Sequence, residues 1–161
     1  MAAMKAGAGA SLGQITDALK RTGADANTLV IFSSDNGPEI DGEVVTGAFD
    51  RLRRFGHASM GPLRGVKRDA WEGGHRMPFI ASWPGRIQAA STSTQTICFT
   101  DLLATFADIT TAELPENAGP DSFSVYPVLV GEQAEDDPIR GPIVMAANNT
   151  MLIRSGDWKL I

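Results

Sequence analysis

Apolar positions recur along this chain with two different periods. Over residues 12–22 the spacing is helical: Leu12, Ile15 and Leu19 share a face, Asp17 and Arg21 form an i,i+4 pair, and Gly23 reads as the C′ stop. Residues 28–34 are an almost unbroken apolar and β-branched run, which predicts a strand buried on both faces. Residues 79–83 predict a second short strand, opened after Pro78 and closed by Pro84 and Gly85. Residues 100–109 return to helical spacing, with Thr100 or Asp101 as N-cap and Leu102, Leu103, Phe106 and Ile109 facing inward.

Between these elements the pattern weakens. Residues 35–66 are glycine-rich and weakly periodic, and a segment of that length is usually functional or disordered. Residues 110–122 read as loop, SFSVYPVLVG as a brief apolar turn, and EQAEDDP (132–138) as an acidic linker. The final IVMAANNTMLIRSGDWKLI alternates strand-like runs with turn chemistry at Asn148-Asn149 and Ser155-Gly156-Asp157, predicting consecutive antiparallel strands. The chain is therefore α/β first with an antiparallel appendage, and both ends read as cut.

Composition bounds the possibilities. The 161 residues are 43% hydrophobic, enough for one domain with a core. No window reaches the roughly 18 apolar residues of a membrane span, and the opening MAAMKAGAGASLGQ has no sustained apolar stretch of a secretory signal. One cysteine, Cys98, excludes an internal disulfide and a Cys-based zinc site. Net charge is −5 but unevenly spread. Residues 51–68 hold six Lys or Arg and no acid, whereas residues 108–137 hold eight acids and no Lys or Arg. The basic block is either a solvated face or a surface for an anionic substrate. Nucleic acid is a poor partner, because only Phe55 is interleaved for stacking and the whole chain is acidic.

Two stretches carry candidate chemistry. SSDNGPEI (33–40) ends the first strand with Asp35, Asn36 and Gly37. These residues suit a turn, or a metal or anion site where α/β sheets place ligands, at a strand's carboxyl end. A carboxylate and an amide carbonyl are hard oxygen ligands for Ca²⁺ or Mg²⁺, yet two fall short of the 6–8 oxygens that Ca²⁺ takes. GPLRGVKRDAWEGGHRMPFIASWPG (61–85) sets Lys67 between Arg64 and Arg68 in a glycine-containing loop. Its ammonium is either an ordinary surface charge or a point contact for a sulfate or phosphate oxygen. Glu72-Gly73-Gly74 then makes a tight turn where backbone can approach another group closely.

Taken in order, SDNGP, G-x-K, E-G-G-x-R-x-P and WPG resemble the type I sulfatases of the alkaline-phosphatase superfamily, and the resemblance runs from about residue 12 to the final IRSGDWKLI. It implies an alkaline-phosphatase-like α/β sandwich with a mainly parallel sheet, incomplete here. Residues 1–130 would be the carboxyl-side portion of the catalytic domain. Residues 131–161 would be a linker and the first strands of a small antiparallel subdomain. It further implies Asp35 and Asn36 as ligands of one divalent cation, usually calcium, with Lys67 on the sulfate group. His57, ten residues before Lys67, is a candidate for the leaving-group oxygen, and Arg76 is expected to tie down the EGG turn.

The implied reaction is hydrolysis of a sulfate ester, in a small molecule or a glycan, by a formylglycine nucleophile. That nucleophile lies in a Cys/Ser-x-Pro/Ala-x-Arg motif near the family's amino terminus, and no such motif precedes SDNGP in this sequence. Cys98 stands in CFTDL and reads instead as a small core side chain, while Ser59 is followed by Met60, Gly61, Pro62 and Leu63. The chain alone is thus expected to be inactive, with the missing amino-terminal sulfatase segment as its natural partner. Relatives are commonly exported, but no compartment is assigned. Two alternatives stand beside this expectation. One is a phosphate- or phosphonate-ester hydrolase of the same superfamily, which a different nucleophile motif would mark. The other is a non-catalytic module that captures sulfated glycans through residues 51–68.

Overall fold

The computed structural model describes residues 2–40 and 47–161, the first seven of these by backbone alone. Of the long segment 35–66, residues 41–46 lie outside the described residues. The chain opens with helix α1, Ala2–Thr22. It begins ten residues before the predicted start, because alanine, methionine and lysine favour the helix strongly enough to carry Gly7 and Gly9 along. Gly23 ends it as expected, in the left-handed region at φ 70°. Its predicted inward face is not all covered, since Ile15 is 55% exposed.

Strands β1, Val30–Ser33, and β2, Phe79–Ser82, form the first sheet. They pair antiparallel, Val30 opposite Ser82 and Ser33 opposite Phe79. Here one expectation is not borne out and another is corrected. No described strand pairs in parallel, and β1 is half-buried along its whole length instead of fully buried on both faces. A two-stranded sheet has no inner strand, and apolar composition cannot by itself supply neighbours. Between the strands come α2, Ala48–Phe55, which the weak periodicity of 35–66 did not reveal, and a single helical turn α3, Glu72–His75.

Helix α4 covers Asp101–Thr110 and α5 covers Tyr126–Val130. The most deeply buried positions of α4 are polar: Asp101 and Thr105 are fully covered, with Ala107 buried beside them, whereas of the residues predicted to face inward Leu102 and Ile109 are half-buried and Leu103 and Phe106 are 47% and 46% exposed. Thr105 explains the inversion. Its hydroxyl donates to the Asp101 carbonyl at 2.6 Å and accepts from the Val125 amide at 2.9 Å, docking the start of α5. Thr100 makes no side-chain cap. Asp101 instead accepts from the amides of Cys98 (2.8 Å) and Phe123 (3.1 Å) and pairs with Arg140 at 2.6 Å. The same guanidinium donates to Cys98 Sγ at 2.6 Å, so Cys98 lines a polar junction instead of an apolar core.

The acidic linker is stitched down as well. The Glu135 carboxylate accepts from the Thr94 amide, and Gln95 Nε2 donates to the Ala134 and Asp137 carbonyls. Strands β3, Ile143–Ala147, β4, Thr150–Ser155, and β5, Trp158–Leu160, then form the predicted antiparallel sheet. Its first turn is Asn148-Asn149, with Asn148 at φ 51°, and its second uses Gly156 at φ 53°.

Candidate functional site

Three loops meet by backbone at the end of β1. The Gly37 amide donates to the Gly74 carbonyl at 2.9 Å, the Lys67 amide to the Pro38 carbonyl at 2.9 Å, and the Gly73 amide to the Arg64 carbonyl at 2.7 Å. The glycines make the crossing possible. A Cβ on Gly37 would lie 1.8 Å from the Gly73 carbonyl oxygen, and Cβ atoms on Gly73 and Gly74 would lie 2.1 and 2.4 Å from the Gly65 and Asp69 carbonyl oxygens. None of the three has a positive φ. They are glycines of close approach, not of turn geometry. DNG is therefore not a hairpin turn; it lies against the EGG turn.

Asp35 and Asn36 border a shallow depression of about 370 Å³, together with Ser59, Arg76 and Pro78. Asp35 is exposed and Asn36 half-buried, and neither side chain is tied to another described residue. Ser59 Oγ is buried there without a hydrogen-bond partner among the described residues. A carboxylate, an amide oxygen and an orphaned hydroxyl around one depression fit a hard divalent cation better than a soft one. They supply part of a coordination sphere only. No cluster of three or more His, Cys, Asp or Glu suited to a metal occurs among the described residues.

Lys67 joins this site through its backbone, whereas its ammonium lies 3.6 Å from Glu39 Oε2. Arg68 holds the same carboxylate with two bonds, of 2.6 and 2.9 Å. Those bonds, helped by the Ile40 amide and the charge of Lys67, hold the Glu39 carboxyl below its ordinary range. His57 follows Gly56, the left-handed cap of α2, and donates its amide to the Arg51 carbonyl; it does not line the depression. Arg76 differs from expectation. It lines the depression, and the side-chain tie of the EGG turn is Glu72, which accepts from Arg154 at 3.0 Å and Lys159 at 2.9 Å. Neither Glu39 nor Ser59 was marked by sequence, because nothing in an isolated Glu or Ser records which loop it will meet.

A family model for sulfatases matches residues 8–112. An N-acetylgalactosamine-6-O-sulfatase of Bacteroides thetaiotaomicron is 39% identical over 154 residues, 94% of this chain and 29% of that protein. An arylsulfatase of Hemicentrotus pulcherrimus is 32% identical, over 91% of this chain and 24% of its own. Among solved structures, a Bacteroides thetaiotaomicron protein studied for the metabolism of multiple glycosaminoglycans aligns with a TM-score of 0.78 and 38% identity, over 91% of this chain and 30% of that one. A Pseudoalteromonas sulfatase aligns with a TM-score of 0.71 and 29% identity, over 91% and 27%. This chain belongs to the sulfatase family, and its fold is the α/β fold of those structures. It spans between about a quarter and under a third of the length of these relatives.

Proposed function

We propose that this chain is the carboxyl-side part of a sulfatase catalytic domain and that the complete domain hydrolyses a sulfate ester. The backbone crossing of the DNG, GVK and EGG loops is the observation that carries this reading. It ties the oxygen donors of Asp35 and Asn36 to the loop bearing the Lys67 cation through a rigid, glycine-dependent junction. In this reading Asp35 and Asn36 supply two oxygen ligands of one divalent cation, calcium in our assignment. Such an ion, when bound, neutralises developing charge on the sulfate oxygens. Lys67 contacts the sulfate group. Its pair with Glu39 is about a third exposed on each side, and solvent screens such a pair so that it contributes little; an arriving anion can draw the ammonium away. His57 serves the leaving-group oxygen, and the substrate is a sulfated small molecule or glycan. We keep the boundary near residue 130, supported by the separate sheet that begins at Ile143.

Without the nucleophile motif the 161-residue chain does not turn over. Supplying the missing amino-terminal segment with its formylglycine restores sulfate release. Asp35→Ala in the same preparation lowers the rate by on the order of 100-fold or more, as expected for loss of a metal-site group. Sulfate release and calcium affinity are measured together. Activity of the chain alone, or full activity after Asp35→Ala, overturns the proposal. A second reading, a module that binds sulfated glycans without cleaving them, has one observation in its favour: Arg64 stacks at 3.6 Å over the exposed ring of Trp71 beside the basic block. Salt-sensitive glycan binding with no sulfate release after the segment is supplied would select it.

A further inference from the structure

The C-terminal sheet contains a local conflict that the EGG turn resolves. Arg154 and Lys159 are directly opposite each other in the β4–β5 ladder. Like charges at such a pair are destabilising. Both cations converge on one carboxylate: Glu72 Oε2 lies 3.0 Å from Arg154 Nη1, and Glu72 Oε1 lies 2.9 Å from Lys159 Nζ. Lys159 is 13% exposed in its side chain, and Glu72 24%. Glu72 is the first residue of α3, immediately before Gly73 and Gly74. Those glycines press against the loop of Asp35 and Asn36.

We propose that Glu72 is a positioning residue: by holding its carboxylate, Arg154 and Lys159 of the C-terminal sheet hold the Gly73–Gly74 turn against the Asp35–Asn36 loop and so set the geometry of the candidate site. What that loop does rests on the sulfatase reading; the clamp itself does not. Removing Glu72's charge leaves two cations facing each other on the sheet, so the sheet edge backs away and the turn loses its anchor. The effect on the depression is indirect, because Glu72 does not line it.

The clamp also senses pH through His75. Its Nε2 lies 2.9 Å from Lys159 Nζ and 3.4 Å from Glu72 Oε1, with Arg154 on the other carboxylate oxygen and a backbone bond to Asp69. Burial first, and the Lys159 charge second, hold the imidazole below its ordinary 6.5, against the opposing pull of Glu72. Burial alone would raise the Glu72 carboxyl, but the Lys159 hydrogen bond and the Lys159, Arg154 and His75 charges lower it below 4.5. Both groups bind fewer protons folded than unfolded, so the stability they contribute is complete above pH 6.5 and falls on acidification. His75 acts first, below 6.5, and Glu72 next, below 4.5.

Amide hydrogen exchange of the 161-residue chain at high dilution, read by mass spectrometry and corrected for intrinsic rates, tests the clamp without any activity assay. Glu72→Gln and Lys159→Met are expected to speed exchange at the Gly37 and Lys67 amides about tenfold while α4 amides such as Ala107 keep their rates; that selectivity corresponds to local opening. Lys159→Arg is expected to restore protection. In the unmodified chain, lowering pH from 7.5 to 5.5 should loosen the same two amides selectively, and His75→Phe should remove that response. Unchanged protection at Gly37 and Lys67 in the folded variants overturns the proposal, as does equal loosening of α4. Should the variants not fold, a flat pH response in the unmodified chain overturns it alone. A clamp that passes beside a completed domain that releases no sulfate removes the sulfatase reading and leaves this one standing.

Discussion

At the scale of single residues, the glycines divide into two physical kinds. Gly37, Gly73 and Gly74 stand where a Cβ would strike a carbonyl oxygen, whereas Gly13, inside α1, has nothing within 4 Å of that position. Substitution should therefore have opposite signs. Gly37→Ala is expected to cost about 1–3 kcal/mol, the range for forcing extra atoms into a packed site. Gly13→Ala is expected to stabilise by about 0.5–1 kcal/mol through helix propensity and a less flexible unfolded chain. Urea midpoints of the two variants measure both, and two effects of the same sign would contradict the contact geometry. The motif D-N-G was legible as special from sequence. Which kind of special was not, because both readings require the same glycine.

At the scale of elements, α4 shows how a buried polar group reorganises an amphipathic helix. Its periodicity placed Leu103 and Phe106 inward, yet Asp101 is covered, with a side chain 1% exposed, and is paired with Arg140, 6% exposed, from outside the helix. A buried pair is not in itself evidence of stability, but breaking one strands the remaining charge. Arg140→Ala should therefore destabilise by about 3–5 kcal/mol, at the lower end because the Cys98 and Phe123 amides still bond Asp101. Thermal melts of the variant check this; a shift equivalent to less than about 1 kcal/mol would show that the pair is replaceable. The existence of the helix was readable from its 3.6-residue period. The direction it faces was not, because the partners that decide it come from residues 123 and 140.

At the scale of the whole molecule, apolar surface is unevenly covered. Ile80, Phe106, Val144, Met151, Trp158 and Leu160 are 59%, 46%, 61%, 62%, 83% and 71% exposed. A depression of about 720 Å³ runs between β1 and α4, floored by Leu29, Ile31 and Trp83. The indole Nε1 of Trp83 is buried there without a hydrogen-bond partner among the described residues. Surface of this kind promotes association. The isolated chain is expected to bind an apolar dye and to self-associate as its concentration rises, followed by sedimentation velocity. A monomer across the micromolar range with a single cooperative melt would contradict it. Supplying the amino-terminal segment should reduce dye binding if that segment covers this surface.

The sequence by itself determined the family and several of the local elements, though not α2. The strand of residues 30–33, the helix beginning at Asp101, the two-residue turn at Asn148 and the ordered SDNGP, GVK and EGG motifs all follow from short-range propensity, turn chemistry and residue order. Tertiary structure decided everything that depends on who meets whom. It paired β1 and β2 antiparallel, turned the Lys67 ammonium to Glu39, and gave the EGG turn its tie through Glu72 to Arg154 and Lys159 instead of through Arg76. The physical reason is range. A propensity acts over a few neighbouring residues, whereas Glu72 meets its cations across 82 and 87 positions of chain, a distance over which composition carries no record of contact.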